Sequence, residues 1–552
     1  MASKTQRTAK RTKKPTKAPA TKRRTQQREP PAPKRMPARG TAPSSRTPAS
    51  ASSPSSGGGG AGSGWTPDIG EVGIRVRMYR VGFGDFFLIS FLDAAGKPVH
   101  VIVDCGVFKG TKQTGDIHSI EAAVANMAET TGGRVALIIM THRHADHIAG
   151  FARCADTFKK LAVGGVWMPI WESEYEPTAM KFQAELTRTA FGLRQHFSSL
   201  ARASEEQNTA RKYMENATGE LGATGTAAAG SNAVALNLLK HGFTGLNPGY
   251  YKGGDNPQLP KALDGIGVSA QILGPPPVAD MDLMKLMDLQ KNVGQYLTGA
   301  VGTSAGPFEP FDSVWEIDPT KVLAKGQRET YTGVSFREWV YPRKSWQPVK
   351  PAQAHRARTN VEELLLQSQP IAALVAAKQL NSFLNNQSLV VLFSFKGKNL
   401  LFVGDSQAGN WEHWLFKTDT PDKMAKGVLD ATAQQILTNL HFYKVGHHGS
   451  GNATPKVVVE TMGKPGHKFA AMCSTQKDVY GTEDPEDPTK GTEVPRIPLL
   501  QKLASESAFV RSDQIPITLN GKVIPAKVSE TLPGAFPGGR FVKGDFWVDC
   551  FL

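Results

Sequence analysis

The chain has little cysteine. Its 4 cysteines, Cys105, Cys154, Cys473 and Cys550, lie far apart and form no CxxC pair, which leaves no disulfide framework and no cysteine zinc site to be read and fits a reducing compartment. Long apolar runs are missing as well. No stretch approaches the roughly 18 consecutive apolar residues of a membrane span, and no apolar segment follows the first arginines. Neither a membrane anchor nor a signal peptide is therefore expected, and the expected location is cytoplasmic. Acidic residues are scarce at one end only: the first fifty residues hold fifteen Lys and Arg against one acid, Glu29, whereas the rest carry 50 basic and 48 acidic residues. The formal charge of +16 thus belongs to a tail.

Residues 1–64 contain almost no large apolar side chain and end in "SPSSGGGGAGSG". Such a segment cannot bury enough surface to offset the entropy of ordering, so a disordered basic tail with a flexible linker is expected. Two roles stay open for it: a solubilising tail, or an arm that holds the protein near nucleic acid by counterion release. A transit peptide would need an amphipathic apolar face, which is missing.

From residue 65 to 552 the sequence reads as one globular domain. "VGIRVRMYRVGFGDFFLISFLDAAGKPVHVIVDCG" alternates as successive strands with a turn at "VGFGD" and a hairpin at Ala94–Lys97. A helical period in "SIEAAVANMAE" precedes the strand "VALIIM", and this β/α alternation predicts a layered α/β fold. Helical or irregular sequence over about 151–265 and 278–380 reads as two insertions. Strands resume at "GVSAQILGPPP", in the hairpin "SLVVLFSFKGKNLLFVGD" and at "KFAAMCST".

Chemistry concentrates at "IIMTHRHADHIAG", where His142, His144, Asp146 and His147 follow a buried-strand pattern within six residues. With 13 histidines in 552 residues, three in such a window call for a common ligand. Imidazole and carboxylate together suit Zn or Mn, and a carboxylate bridge can assemble a one- or two-ion site.

HxHxDH after an apolar strand resembles the signature of the metallo-β-lactamase superfamily. The ordered series "RVGFGDFFLI", "DCG", "THRHADHIAG", "ILGPPP", "NNQSLVVLF", "LLFVGD" and "KVGHHGS" is similar, more narrowly, to the metallo-β-lactamase-fold domain of the competence protein ComEC and its stand-alone soluble relatives. The likeness spans about residues 72 to 515. It implies a four-layer αββα sandwich and a hydrolase. It also implies metal ligands His142, His144, Asp146, His147, Asp405 and His447, with Asp104 orienting a ligand histidine and His448 the near alternative to His447. Asp146 would also orient the attacking water, and His448 would protonate the leaving group. Where superfamily hydrolases place a further histidine, "NNQS" offers Asn385 or Asn386, so weaker metal is expected at that position unless His196 or His241 supplies the imidazole. The membrane channel region of ComEC is absent, so DNA uptake does not carry over.

The segment "SFREWVYPRKSWQPVK" interleaves Trp339, Tyr341 and Trp346 with Arg337, Arg343 and Lys344. Rings among cations suit a single-stranded nucleic-acid groove, although the same pattern serves an amphipathic lid. With the basic tail it favours a phosphodiesterase or nuclease with nucleic acid as partner. The alternatives are a lactone, thioester or phosphoester hydrolase, whose mark would be a deep apolar pocket lined by the insertions, and a nucleic-acid-binding protein with a vestigial site.

Overall fold

The computed structural model describes residues 73–109, 119–200, 203–220, 230–286, 373–416, 428–463, 469–484, 486, 491–513, 517–519, 522–524 and 535–552. The basic tail and the segment holding Arg337, Trp339, Tyr341, Arg343, Lys344 and Trp346 lie outside these residues. No helix among the described residues is long and apolar enough to cross a membrane.

The fold is mixed α/β, as its alternating patterns predict. In the first half, β1 (Ile74–Tyr79), β2 (Phe86–Leu92) and β3 (Pro98–Cys105) form an antiparallel meander. The β2–β3 turn closes through the Asp93 N–H on the Lys97 carbonyl, 3.0 Å. Helix α1 (Ile120–Thr131) starts at Ser119, whose hydroxyl accepts from the Ala122 N–H at 3.2 Å, as an N-cap should. It ends at Gly132, left-handed at φ 55°. The chain then returns as β4 (Leu137–Ile139), parallel to β3, and runs on through α2 (Ala145–Arg153) to β5 (Val166–Pro169).

After β5 come α3 (Pro177–Ser199), α4 (Glu205–Thr218), α5 (Ser231–His241) and the short strand β6 (Gly249–Tyr251), parallel to β5. Within the stretch 151–265, β5 and β6 extend the main sheet, β5 with all four residues buried and β6 half-buried at its edge. Leu186, Ala190, Ala210 and Met214 of α3 and α4 pack with Leu380, Phe383 and Leu384 of a helix at 373–386, α6, in a small core of their own.

A second sheet repeats the plan. The strands β7 (Ser269–Gly274), β8 (Val390–Phe395) and β9 (Lys398–Phe402) are antiparallel, with the tight turn of the last pair at Lys396 and Gly397. Helices α7 (Ala408–Leu415) and α8 (Ala431–Thr438) then lead to β10 (Phe442–Lys444), α9 (Lys456–Met462) to β11 (Phe469–Cys473), and α10 (Ile497–Glu506) to β12 (Ser507–Arg511). Strands β9 to β12 run parallel. At the far end of the chain, β13 (Ala535–Phe536), β14 (Gly539–Lys543) and β15 (Trp547–Phe551) join the first sheet beside β1. Among the described residues the two large sheets read β13-β14-β15-β1-β2-β3-β4-β5-β6 and β12-β11-β10-β9-β8-β7.

Alternation decides which faces meet. Val76, Met78, Phe87, Ile89 and Leu137 of the first sheet pack with Val391, Phe393, Phe402 and Met472 of the second. Their neighbours in sequence point the other way: Leu88, Ile102 and Ile138 meet Val124 of α1, Phe151 of α2 and Leu238 of α5, and Leu392, Leu401 and Tyr443 meet Trp411 of α7, Leu437 of α8 and Leu503 of α10. Strands buried on both faces read as nearly unbroken apolar runs, which is the pattern of "VALIIM" and "NLLFV".

Candidate metal centre

The candidate residues gather at the carboxyl ends of β3, β4, β9 and β10, where each sheet changes from antiparallel to parallel pairing and its loops part. Asp104 closes β3. Its Oδ1 accepts the Thr141 N–H at 2.7 Å, and its Oδ2 accepts the Thr141 hydroxyl at 2.6 Å and the His147 Nδ1–H at 2.7 Å. It therefore fixes the ring of His147.

The HxHxDH turn enters α2 directly. His144 is the N-cap and Asp146 sits in the first turn, where the helix dipole favours its charge. The Asp146 N–H is held by Asn216 Oδ1 of α4 at 3.1 Å, and Arg143 is anchored by a two-pronged pair with Glu172, both contacts 2.6 Å. Gly106, from "DCG", is required by contact: a Cβ there would lie 2.2 Å from the Asp146 carbonyl carbon.

Asp405 follows β9 through Gly404, which is left-handed at φ 52° and too close to Thr141 for a side chain. Its N–H bonds the Ser388 hydroxyl at 3.0 Å. After β10 the chain turns through His447 (φ 46°) and His448 (φ 52°), two successive left-handed residues that are not glycine. Each costs about 1–2 kcal/mol, so the turn persists because its surroundings hold it.

Asp146, His147, Asp405 and His448 bring one ligand atom each to within 4.8 Å of one another, all buried. His147 Nε2 lies 3.1 Å from Asp405 Oδ1 and 3.8 Å from Asp146 Oδ1; His448 Nε2 lies 3.2 Å from Asp146 Oδ2 and 3.6 Å from Asp405 Oδ2. Ligands at about 2.0–2.2 Å from a tetrahedral ion stand about 3.3–3.6 Å apart, so the spacing fits. The orphaned atoms fit too. His147 Nε2, His448 Nε2, Asp146 Oδ1 and both Asp405 oxygens are buried without a hydrogen-bond partner, while the opposite ring nitrogens are occupied, His147 Nδ1 by Asp104 and His448 Nδ1 by the Ser474 carbonyl at 2.9 Å. This group could hold a divalent metal ion.

The structure exchanges the expected places of the two adjacent histidines. His448 is fully buried and stands with Asp146, His147 and Asp405 in the candidate group. His447 keeps 18% of its side chain exposed, with Nε2 3.8 Å from Asp405 Oδ2. Its ring is spanned by two amides: Asn385 Nδ2 stands 3.4 Å from Nε2, and Gln407 Nε2 stands 3.2 Å from Nδ1. Asn385 thus touches His447, and Asn386 instead bonds the Met284 and Leu286 carbonyls.

His142 and His144 lie beside the group and contact each other, Nε2 to Nδ1 at 2.9 Å, with His142 Nε2 4.0 Å from Asp405 Oδ2. His241 is half exposed and pairs with Glu174 at 3.3 Å, away from this role.

Charge divides the histidines. Burial drives His142 well below the usual imidazole range and His144 to about 4. For His147 and His448 burial acts the same way, but Asp405 with Asp104 and Asp85, and Asp405 with Asp85 and Asp146, reverse it and raise both. Burial would raise Asp146; the close approach of His448 and the His147 charge outweigh it and hold Asp146 at about 2.

Two residues behind the centre were not singled out from sequence. Asp85, at the end of "VGFGD", and Lys444, the last residue of β10, are buried and form a close ion pair. Lys444 Nζ also donates to the Gly404 carbonyl at 3.0 Å and lies 3.7 Å from Asp405 Oδ1. Asp85 stands 3.5 Å from His448 Nδ1 and 3.7 Å from His147 Nδ1. A buried lysine ammonium here offsets part of the carboxylate charge. The signal available was a lysine at the end of an otherwise apolar strand.

No protein-family model matches this chain, and no curated protein is significantly similar to it.

Proposed function

We propose that this protein is a metal-dependent hydrolase with the four-layer αββα architecture of the metallo-β-lactamase superfamily, acting on phosphodiesters with nucleic acid as the first candidate substrate. One observation carries the reading: Asp146, His147, Asp405 and His448 converge from both sheets with their ligand atoms buried and unpartnered. Zn or Mn bound there would acidify a water and offset negative charge developing on a phosphoryl or carbonyl oxygen.

The residues divide the remaining work. Asp146, fixed through its N–H by Asn216, can orient the attacking water with one carboxylate oxygen. Asp104 keeps His147 in its Nδ1–H tautomer. His447, more open than His448 and next to Asp405, takes the proton-donor role first given to its neighbour. Phosphodiester over other esters rests on the basic tail and on the Arg337–Trp346 segment. A second reading has a specific observation behind it: the apolar wall of Phe83, Phe108 and Tyr480 beside His448 suits a small ester or lactone.

The test uses the full-length chain, metal-stripped and reloaded with Mn or Zn, on labelled single- and double-stranded DNA and RNA, with Asp405→Ala as control. Cleavage that needs metal and disappears in the control is expected. Metal binding without cleavage of any polymer would overturn the nuclease reading and favour the small ester.

A further inference from the structure

A polar group that this chemistry does not use stands beside the ligand cluster. Tyr480 lies in the loop after β11, six residues beyond Ser474, whose carbonyl anchors His448. Its ring is buried at 7% exposure, and its hydroxyl has no hydrogen-bond partner among the described residues. Leaving a buried hydroxyl unpaired is costly, and such atoms in folded proteins call for an explanation.

The ring cannot swing out to find a partner. It packs on Phe83 (centroids 5.1 Å apart), on Phe108 (5.4 Å) and in a stack on Tyr213 of α4 (5.7 Å, 18° between planes). Lys212 of α4 ties down the same loop by donating to the Val479 carbonyl at 2.6 Å. Phe83 in turn packs on the His448 ring at 4.3 Å, so one aromatic side chain separates Tyr480 from a residue of the ligand group. Burial first, then the charge of Asp146, with Tyr213, Glu215 and Asp405 after it, keeps the phenol protonated, so the group is a hydrogen-bond donor.

We propose that Tyr480 is a substrate-contacting residue of this site, its hydroxyl donating a hydrogen bond to an anionic phosphoryl oxygen held beside Asp146 and His448. The proposal rests on the hydrolase reading above.

The experiment measures binding of inorganic phosphate to the metal-loaded full chain by calorimetry, in the wild type, Tyr480→Phe and Tyr213→Phe, with metal content determined for each. Tyr480→Phe is expected to weaken phosphate about tenfold with metal content unchanged, in line with about 1.5 kcal/mol for a hydrogen bond to a charged group. Tyr213→Phe, which keeps the stack, is expected to bind phosphate as the wild type does. Because Tyr480→Phe deletes only an unpartnered hydroxyl, its urea midpoint should be equal or higher, which separates this role from a structural one. Equal phosphate affinity in wild type and Tyr480→Phe overturns the proposal, and so does a metal-loaded wild type that binds no phosphate. Phosphate binding that needs Tyr480, in a protein that cleaves no phosphodiester, would sink the nuclease reading and leave this one standing.

Discussion

The two turns that build the centre occupy equivalent places in the two sheets, one after β4 and one after β10, yet they work differently. After β4 the ligands enter a regular helix, and their neighbours, from Asn216 to Glu172, hold the turn through ordinary hydrogen bonds. After β10 the chain bends through two left-handed histidines, so that one ring enters the ligand cluster and the other stays at its rim. A helix start delivers side chains at fixed spacing; a strained turn lets adjacent residues diverge, which is how two neighbours in sequence come to stand in different surroundings.

Removing what both turns share should have the largest effect. Asp405→Ala is expected to abolish saturable metal binding, measured by calorimetry on the metal-stripped protein, beyond the 10–100-fold loss (about) that follows removal of a ligand's supporting partner. The two strained histidines should then separate: His448→Ala weakens metal more than about 100-fold, His447→Ala less than about tenfold while turnover falls. Equal metal loss in both would erase the distinction between them.

On the other turn, Asp104→Asn should weaken metal about 10–100-fold by releasing His147. Metal affinity should also depend on pH in a direction set by the raised His147 and His448. In the metal-free protein both are shifted toward the protonated form, so metal competes with protons there; affinity should climb with pH, by up to about tenfold per pH unit for each proton displaced. His142 and His144, pushed down by burial, compete with no proton there, so a profile flat between pH 6 and 8 would move the metal to that pair. The smallest effect tests strain alone: His447→Gly should be more stable than His447→Ala by about 1 kcal/mol in urea, since only glycine is at ease at φ 46°.

Local sequence determined much of this protein. The mixed α/β class follows from strands buried on both faces alternating with helical periods, and HxHxDH, "VGD" and "DCG" marked Asp146, His147, Asp405 and Asp104 because each set is delivered by one strand end. Tertiary structure decided the rest. Whether His447 or His448 enters the ligand group depends on two φ angles that adjacent identical side chains cannot reveal. That the stretch 151–265 adds β5 and β6 to the main sheet could not be read from sequence, because strands of four and three residues are too short for a period to be seen. The ion pair of Asp85 with Lys444 and the setting of Tyr480 against Phe83 and Tyr213 join residues hundreds of positions apart. Burial and charge at such places come from contacts between the two sheets and their loops, and no single segment contains them.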